Sequence, residues 1–247
     1  LIETQNCSKR SSIPIVENKE YYSVSYTQRL MYMSQLLHEK SNAYNIPMIF
    51  EITGDLDIDR LINTFEKLIQ RHEILHTSFY VIDNNIVQKI EEAQFIPFEY
   101  IEVSEDKAPE IIKRAIQPFN VKEYPLYRTL LLKIGQNKHV LFFDMHHIIT
   151  DGTSQRVLLK DFMALYNNAE PEDLRIHYKD YVEWYISELN QEKLLGQREY
   201  WLSKLSGEIP VLNLPIDYDR IQNQKNEADI ISIEIAKDDT KSLKTFL

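Results

Sequence analysis

Val140, Leu141, Phe142 and Phe143 follow one another with no polar residue between them. Successive side chains of an extended strand point to opposite faces, so a strand built from this run is apolar on both and belongs inside a sheet covered from two sides. The run lies in the second arm of a predicted hairpin, Leu126–Ile134 and His139–Met145 around Gly135-Gln136-Asn137-Lys138. A sheet with one wet face cannot accommodate it, so the rest of the chain has to supply layers above and below.

The flanking sequence offers them. Leu30, Met33, Leu36 and Leu37 fall at helical spacing within Tyr26–Lys40, behind the capping candidates Ser25 and Thr27. Met48, Phe50 and Ile52 alternate with Ile49, Glu51 and Thr53 in a strand that stops at Gly54. Ile58, Leu61, Ile62, Phe65, Leu68 and Ile69 form one broad apolar stripe from Asp57 to about His72. Thr77–Ile82, the turn Asp83-Asn84-Asn85 and Ile86–Ile90 read as a second hairpin, Phe95–Val103 as a strand and Pro109–Ile116 as a short helix. Further helices are predicted near Ser154–Asn167, Tyr178–Glu192, Gln197–Leu205 and Asp238–Phe246, with Pro210–Asp219 extended and Asp229–Ala236 a strand. No internal repeat or low-complexity tract interrupts this order. The predicted class is α/β, an α+β mixed sheet with hairpins.

Composition narrows the chemistry. Lys and Arg number 28 against 38 Asp and Glu, a net charge of −10 that disfavours gripping nucleic-acid phosphates or anionic lipid. No two of the five glycines lie within ten positions of each other, which excludes both a G-x-G-x-x-G turn and a G-x-x-x-x-G-K phosphate loop. One cysteine, Cys7, permits no internal disulfide and no thiolate zinc cage, and a cytoplasmic home is expected. No apolar run reaches the roughly 18 residues that span a bilayer, and Leu1–Arg10 is too polar for a signal peptide. The first residue is Leu1, so the chain is expected to be a piece of something longer.

Two histidine constellations compete. His72-Glu73-Ile74-Leu75-His76 satisfies H-E-x-x-H, in which two histidines one helical turn apart bind zinc and the glutamate activates water. Chance alone gives about 0.02 such matches in a chain of this composition. The strand-forming Thr77–Val81 follows at once, so the helix that would align the two rings is expected to end too early, and no third protein ligand is apparent. His146-His147-Ile148-Ile149-Thr150-Asp151-Gly152 is about eighty times rarer by chance. Here a buried strand delivers two imidazoles to a loop, and Asp151, Thr153 and Ser154 can cap a helix just beyond. One histidine can pack while the other faces a substrate and accepts a proton near neutral pH, which suits attack by an amine on an acyl group. Gly152 leaves room for close approach. The plain alternative is that both histidines are satisfied loop residues.

These residues also form an ordered set of motifs. Ser25–Tyr32 resembles S-x-A-Q-x-R-L-W/Y, Arg71–Phe79 resembles R-H-E-x-L-R-T-x-F, and Met145–Gly152 carries H-H-x-x-x-D-G. Tyr178–Trp184 resembles Y-x-D-Y-A-x-W, and Tyr200-Trp201 through Leu214-Pro215-Ile216-Asp217 and Arg220 resembles the region after it. In this order, from about residue 13 to the end, the chain resembles the condensation domain of non-ribosomal peptide synthetases. The resemblance implies a chloramphenicol-acetyltransferase-like lobe, one of two that form a V. It implies residues 1–20 as a linker from an upstream carrier domain, 21–220 as the donor-side lobe, and 221–247 as the truncated start of the second lobe.

The implied reaction is amide synthesis between an upstream carrier-bound acyl or peptidyl thioester and an amine on a downstream carrier. No cofactor is bound directly, because both substrates ride on phosphopantetheine. The implied partners are the upstream and downstream carrier domains and an adjacent adenylation domain, with neither nucleic acid nor membrane. His147 is carried over as the functional histidine, with His146, Asp151 and Gly152 completing the site. Tyr178, Asp180 and Trp184 are implied to be architectural. The family pairs the aspartate with the second arginine of R-H-E-x-L-R-T. Here that position is His76, which can hydrogen-bond Asp151 but lacks the forked permanent charge of arginine. With the later blocks of the family absent, little or no amide-forming activity is expected of these 247 residues alone. An epimerisation domain, a docking lobe without catalysis and, remotely, a zinc peptidase are the alternatives.

Overall fold

The computed structural model describes residues 12–95, 98–188, 191–210, 215 and 233–246. The chain divides into two units, Leu1–Leu212 and Asn213–Leu247. In the first unit, the apolar run occupies the interior of a four-stranded sheet. Its strand β7 (Lys138–His146) lies between β2 (Asn45–Thr53) and β6 (Tyr127–Gly135), and β5 (Glu99–Glu102) adds to the far side of β6. Both neighbours of β7 are antiparallel to it. β5 runs parallel to β6, and helix α3 (Ala108–Ala115) lies in the long connection between them that such a pair requires.

The two-faced character of β7 has a direct structural counterpart. Leu141, Phe143 and Met145 enter the main core with Leu61, Phe65 and Leu68 of α2 (Ile58–Arg71) and Leu158 of α4 (Gly152–Tyr166). Val140 and Phe142 enter a second core with Ala108 and Ile112 of α3. Phe142 is fully buried, so cutting it to alanine would cost about 3–5 kcal/mol. The edge strand β2 alternates instead, with Met48, Phe50 and Ile52 turned inward and Ile49, Glu51 and Thr53 exposed.

A smaller antiparallel sheet orders β1 (Tyr22–Ser23), β4 (Asn85–Ile90) and β3 (Thr77–Ile82). Its hairpin turn is two residues rather than the predicted three. Asp83 and Asn84 adopt positive φ of 49° and 62°, a conformation these short polar side chains tolerate, and Asn85 already pairs with Ile82.

Several boundaries differ from the sequence reading. Helix α1 (Tyr26–Leu37) stops short of Lys40 because the Gln35 side chain donates to the carbonyls of His38 and Ser41 and folds the chain back. Phe95 is not in a strand; its ring stacks on Phe65 at 5.7 Å, and β5 begins only at Glu99. α5 is described over Tyr178–Glu188, and residues 191 and 192 belong to α6 (Gln191–Lys204), which starts six residues before the predicted Gln197. In the second unit α7 (Lys237–Phe246) matches the predicted helix, with Asp238 and Asp239 at its positive end. Residues 233–236 are not in a strand. Residues 1–11 of the linker, including Cys7, most of Pro210–Asp219, Arg220 and residues 229–232 lie outside the described residues. No helix among the described residues is long and apolar enough to cross a membrane.

Candidate active site

The two adjacent imidazoles part where β7 ends and a turn begins. His146, the last residue of β7, points inward: it is fully buried, and its ring is 5.8 Å from Tyr44 and 6.1 Å from Phe119. Its Nδ1 accepts the backbone N–H of Ile148 at 3.0 Å, which leaves the ring proton on Nε2, facing the Gln35 Oε1 at 3.4 Å. Burial, aided by the neighbouring His147, lowers its pKa to about 4. His146 is therefore neutral at physiological pH, a fixed part of the wall rather than a proton acceptor.

His147 is half-buried and lines a cavity of about 590 Å³. Its backbone N–H is held by the Tyr44 carbonyl at 2.8 Å, just before β2. The ring Nδ1–H donates to the Thr150 carbonyl at 2.7 Å, so the lone pair of the neutral ring lies on Nε2, which has no protein hydrogen-bond partner among the described residues. The cavity wall is largely apolar, with Met31, Ile74, Ile149, Leu158 and Ile176 among its residues. A nucleophile bearing a proton would meet Nε2 there beside a largely apolar wall.

Asp151 caps α4. Its Oδ1 accepts both the backbone N–H and the hydroxyl of Ser154, each at 2.7 Å, and these bonds hold its carboxyl below the usual carboxylate range. The expected bond to His76 is absent. His76 Nδ1 instead meets the Glu91 carbonyl at 2.6 Å at the entry to β3, and its buried Nε2 has no hydrogen-bond partner among the described residues. The reason is positional: Asp151 is spent on its own helix, while His76 belongs to the turn that starts the smaller sheet. Gly152 is the first residue of α4; its φ is not positive and an added Cβ would meet nothing within 4 Å, so the protein's own packing does not require glycine there.

The H-E-x-x-H residues do not form a ligand pair. α2 ends at Arg71, His72 is its C-cap, and Glu73–His76 is a 3-10 turn, so the two rings do not share an α-helical face. His72 Nε2 is 2.9 Å from Asp161, which also takes Arg71 Nε at 2.8 Å, and Glu73 pairs with the buried Lys179. Among the described residues no cluster of three or more His, Cys, Asp or Glu is arranged to hold a metal ion. His72 and Glu73 do line the His147 cavity.

Of three further contributors, Asp180 and Tyr178 are already implied to be architectural, and Gln28 alone is given no role from the sequence. Asp180 is buried and accepts the N–H groups of Val16 and His177, fastening the incoming chain to α5. Tyr178 lines the cavity and donates its hydroxyl to Ser25 at 3.1 Å. Gln28 completes a capping box with Ser25 and reaches the Ile148 carbonyl; the S-x-x-Q spacing at Ser25–Gln28 was its available signal.

The condensation-domain family model matches residues 18–247. The chain belongs to the condensation-domain family. Bacitracin synthase 3 of Bacillus licheniformis is 41% identical over 243 residues, 98% of this chain and 4% of that protein. Surfactin synthase subunit 1 of Bacillus subtilis is 41% identical over 231 residues, 93% of this chain and 6% of that protein. The X-domain from teicoplanin biosynthesis superposes with a TM-score of 0.75 at 23% identity, covering 85% of this chain and 49% of that one. The starter condensation domain of the rhizomide synthetase RzmA gives a TM-score of 0.65 at 20% identity, covering 76% and 48%. The fold is the chloramphenicol-acetyltransferase-like α/β arrangement. This condensation-family chain thus spans about half the length of the solved domains and a few per cent of the synthetases it matches.

Proposed function

We propose that residues 21–220 are the donor-side lobe of an amide-forming condensation domain, with 1–20 leading in from an upstream carrier and 221–247 opening a second lobe. The observation that carries this reading is His147, whose Nδ1–H is tied to the Thr150 carbonyl while its ring lines a largely apolar cavity. In the proposed step the amine nitrogen attacks the thioester carbonyl carbon. The new C–N bond forms, the C–S bond breaks, Nε2 takes the amine proton, and that proton passes to the departing thiolate. His146 and Asp151 act by shaping the loop. Gly152, which no contact within the chain requires, leaves space for the tethered reactants. Both substrates arrive on phosphopantetheine arms of carrier domains, an adenylation domain loads at least one of them, and the setting is the cytoplasm.

The test is His147→Ala in a synthetase module carrying this sequence. Dipeptide formation from carrier-bound substrates should fall about 100-fold or more. An unchanged rate would transfer support to the second reading, a docking lobe without catalysis. That reading is favoured by the resemblance to the teicoplanin X-domain, which has been solved in complex with OxyB.

A further inference from the structure

Helix α1 carries two glutamines, Gln28 and Gln35, each only 3% exposed. Seven residues separate them, two helical turns, so both project from one face. Gln28 Oε1 accepts the Ser25 N–H at 3.0 Å, which orients its amide so that Nε2 donates to the Ile148 carbonyl at 3.4 Å. Gln35 Nε2 donates to the Ser41 carbonyl at 3.1 Å, which turns its Oε1 toward the Nε2–H of His146 at 3.4 Å. The other nitrogen of His146 accepts the N–H of Ile148. Both polar atoms of the Ile148 backbone are thereby fixed from α1, the carbonyl by Gln28 directly and the N–H by Gln35 through His146.

We infer that Gln28 and Gln35 are positioning residues for His147, an inference that rests on the amide-forming reading above. Ile148 directly follows His147, and two residues further lies Thr150, whose carbonyl takes the Nδ1–H. Packing of the Ile148 and Ile149 side chains holds the loop in place, and the peptide plane between them is tied on one side by the Ile149 N–H to the His146 carbonyl at 3.1 Å and on the other by Gln28. A rotation at Ile148–Ile149 would swing the Thr150 carbonyl off Nδ1 and release the choice of tautomer. The two amides add to that backbone restraint and keep the lone pair on Nε2, acting through Ile148; Gln28 also borders the cavity.

Gln28→Glu separates positioning from stability, because it keeps the oxygen that accepts the Ser25 N–H yet removes the donor to Ile148. In a module carrying this sequence, kcat for amide formation should fall about tenfold or more, with KM within about twofold and the melting temperature near that of the parent. Gln35→Leu should lower kcat by about threefold, since His146 retains its bond to Ile148. Nitrogen-15 imidazole spectra of the 247-residue chain should show His147 protonated on Nδ1 in the parent and a mixture of tautomers in Gln28→Glu. An unchanged tautomer together with kcat within about twofold overturns the inference, as does a loss of rate matched by loss of folded protein. If His147→Ala turns over at the parental rate, the amide-forming reading is what fails, and the imidazole spectra still decide whether α1 sets the ring.

Discussion

The two histidine-bearing turns use the same residue types to opposite ends. At 72–76 the imidazoles are committed to the fold: His72 to Asp161, and His76 to the Glu91 carbonyl. At 146–147 only His146 is committed on both nitrogens, while His147 spends one nitrogen on Thr150 and leaves the other without a protein partner beside a cavity. Residue type therefore says little about chemistry here. What matters is where the unused nitrogen lies: that of His76 is buried, whereas the half-buried His147 ring lines a cavity.

The sharpest way to break this contrast is to remove the imidazole of one turn and the carboxylate that anchors the other. His147→Ala should abolish most turnover while leaving the unfolding free energy within about 1 kcal/mol of the parent, because a half-exposed loop ring carries little of the core. Asp161→Ala should do the reverse. It leaves Arg71 and His72 without their shared carboxylate and should cost about 3–5 kcal/mol in chemical denaturation. A stable Asp161→Ala protein with impaired turnover would merge the two turns into one functional unit.

Acidity gives a smaller effect. His146, lowered to about 4, favours the folded state above pH 6.5, and that contribution is lost as the pH falls toward 4. Asp144 is fully buried and bonded to Asn45 Nδ2 at 2.6 Å, and burial raises its carboxyl to about 6. Its contribution has the opposite sign, present below the unfolded carboxylate value near 4 and lost as the pH rises through 6. The two shifts oppose each other between pH 4 and 6. Asp144→Asn should therefore steepen the acid loss of stability and raise stability at pH 8 by up to about 2–3 kcal/mol, measured by denaturant unfolding across that range. A parallel pair of pH curves would show that Asp144 titrates normally.

Gly152→Ala is the mildest probe. Alanine suits an early helical position and nothing crowds its Cβ, so stability should stay level or rise by about 0.5–1 kcal/mol. Turnover should nonetheless fall if tethered reactants pass over this backbone. Unchanged turnover would remove Gly152 from the site.

Much of this was legible in the sequence because it was local. The unbroken apolar run from Val140 to Phe143 announced a strand between two layers, and its end was expected to deliver one histidine to packing and the other to a substrate. The stripe from Ile58 to Ile69 and the Thr77 strand start located the end of α2 within a residue of its observed position, which disposed of a continuous H-E-x-x-H helix. The partners were not legible. Asp161, Glu91, Tyr44 and Gln28 reach their histidines or the histidine loop across 15 to about 120 residues of chain, and no spacing rule links them. His76 illustrates the difficulty: the motif position suggested Asp151 as its partner, and strand pairing gave it a carbonyl directly across the open end of the β3–β4 hairpin.

The bond from the His147 amide to the Tyr44 carbonyl closes a loop of roughly a hundred residues. Contacts of such sequence separation form only after the intervening chain has paid its closure entropy, so they come late in folding. A nascent or partly unfolded chain should thus hold helices and the local hairpins well before it holds this ring in place, and refolding followed by imidazole spectra should lag refolding followed by circular dichroism.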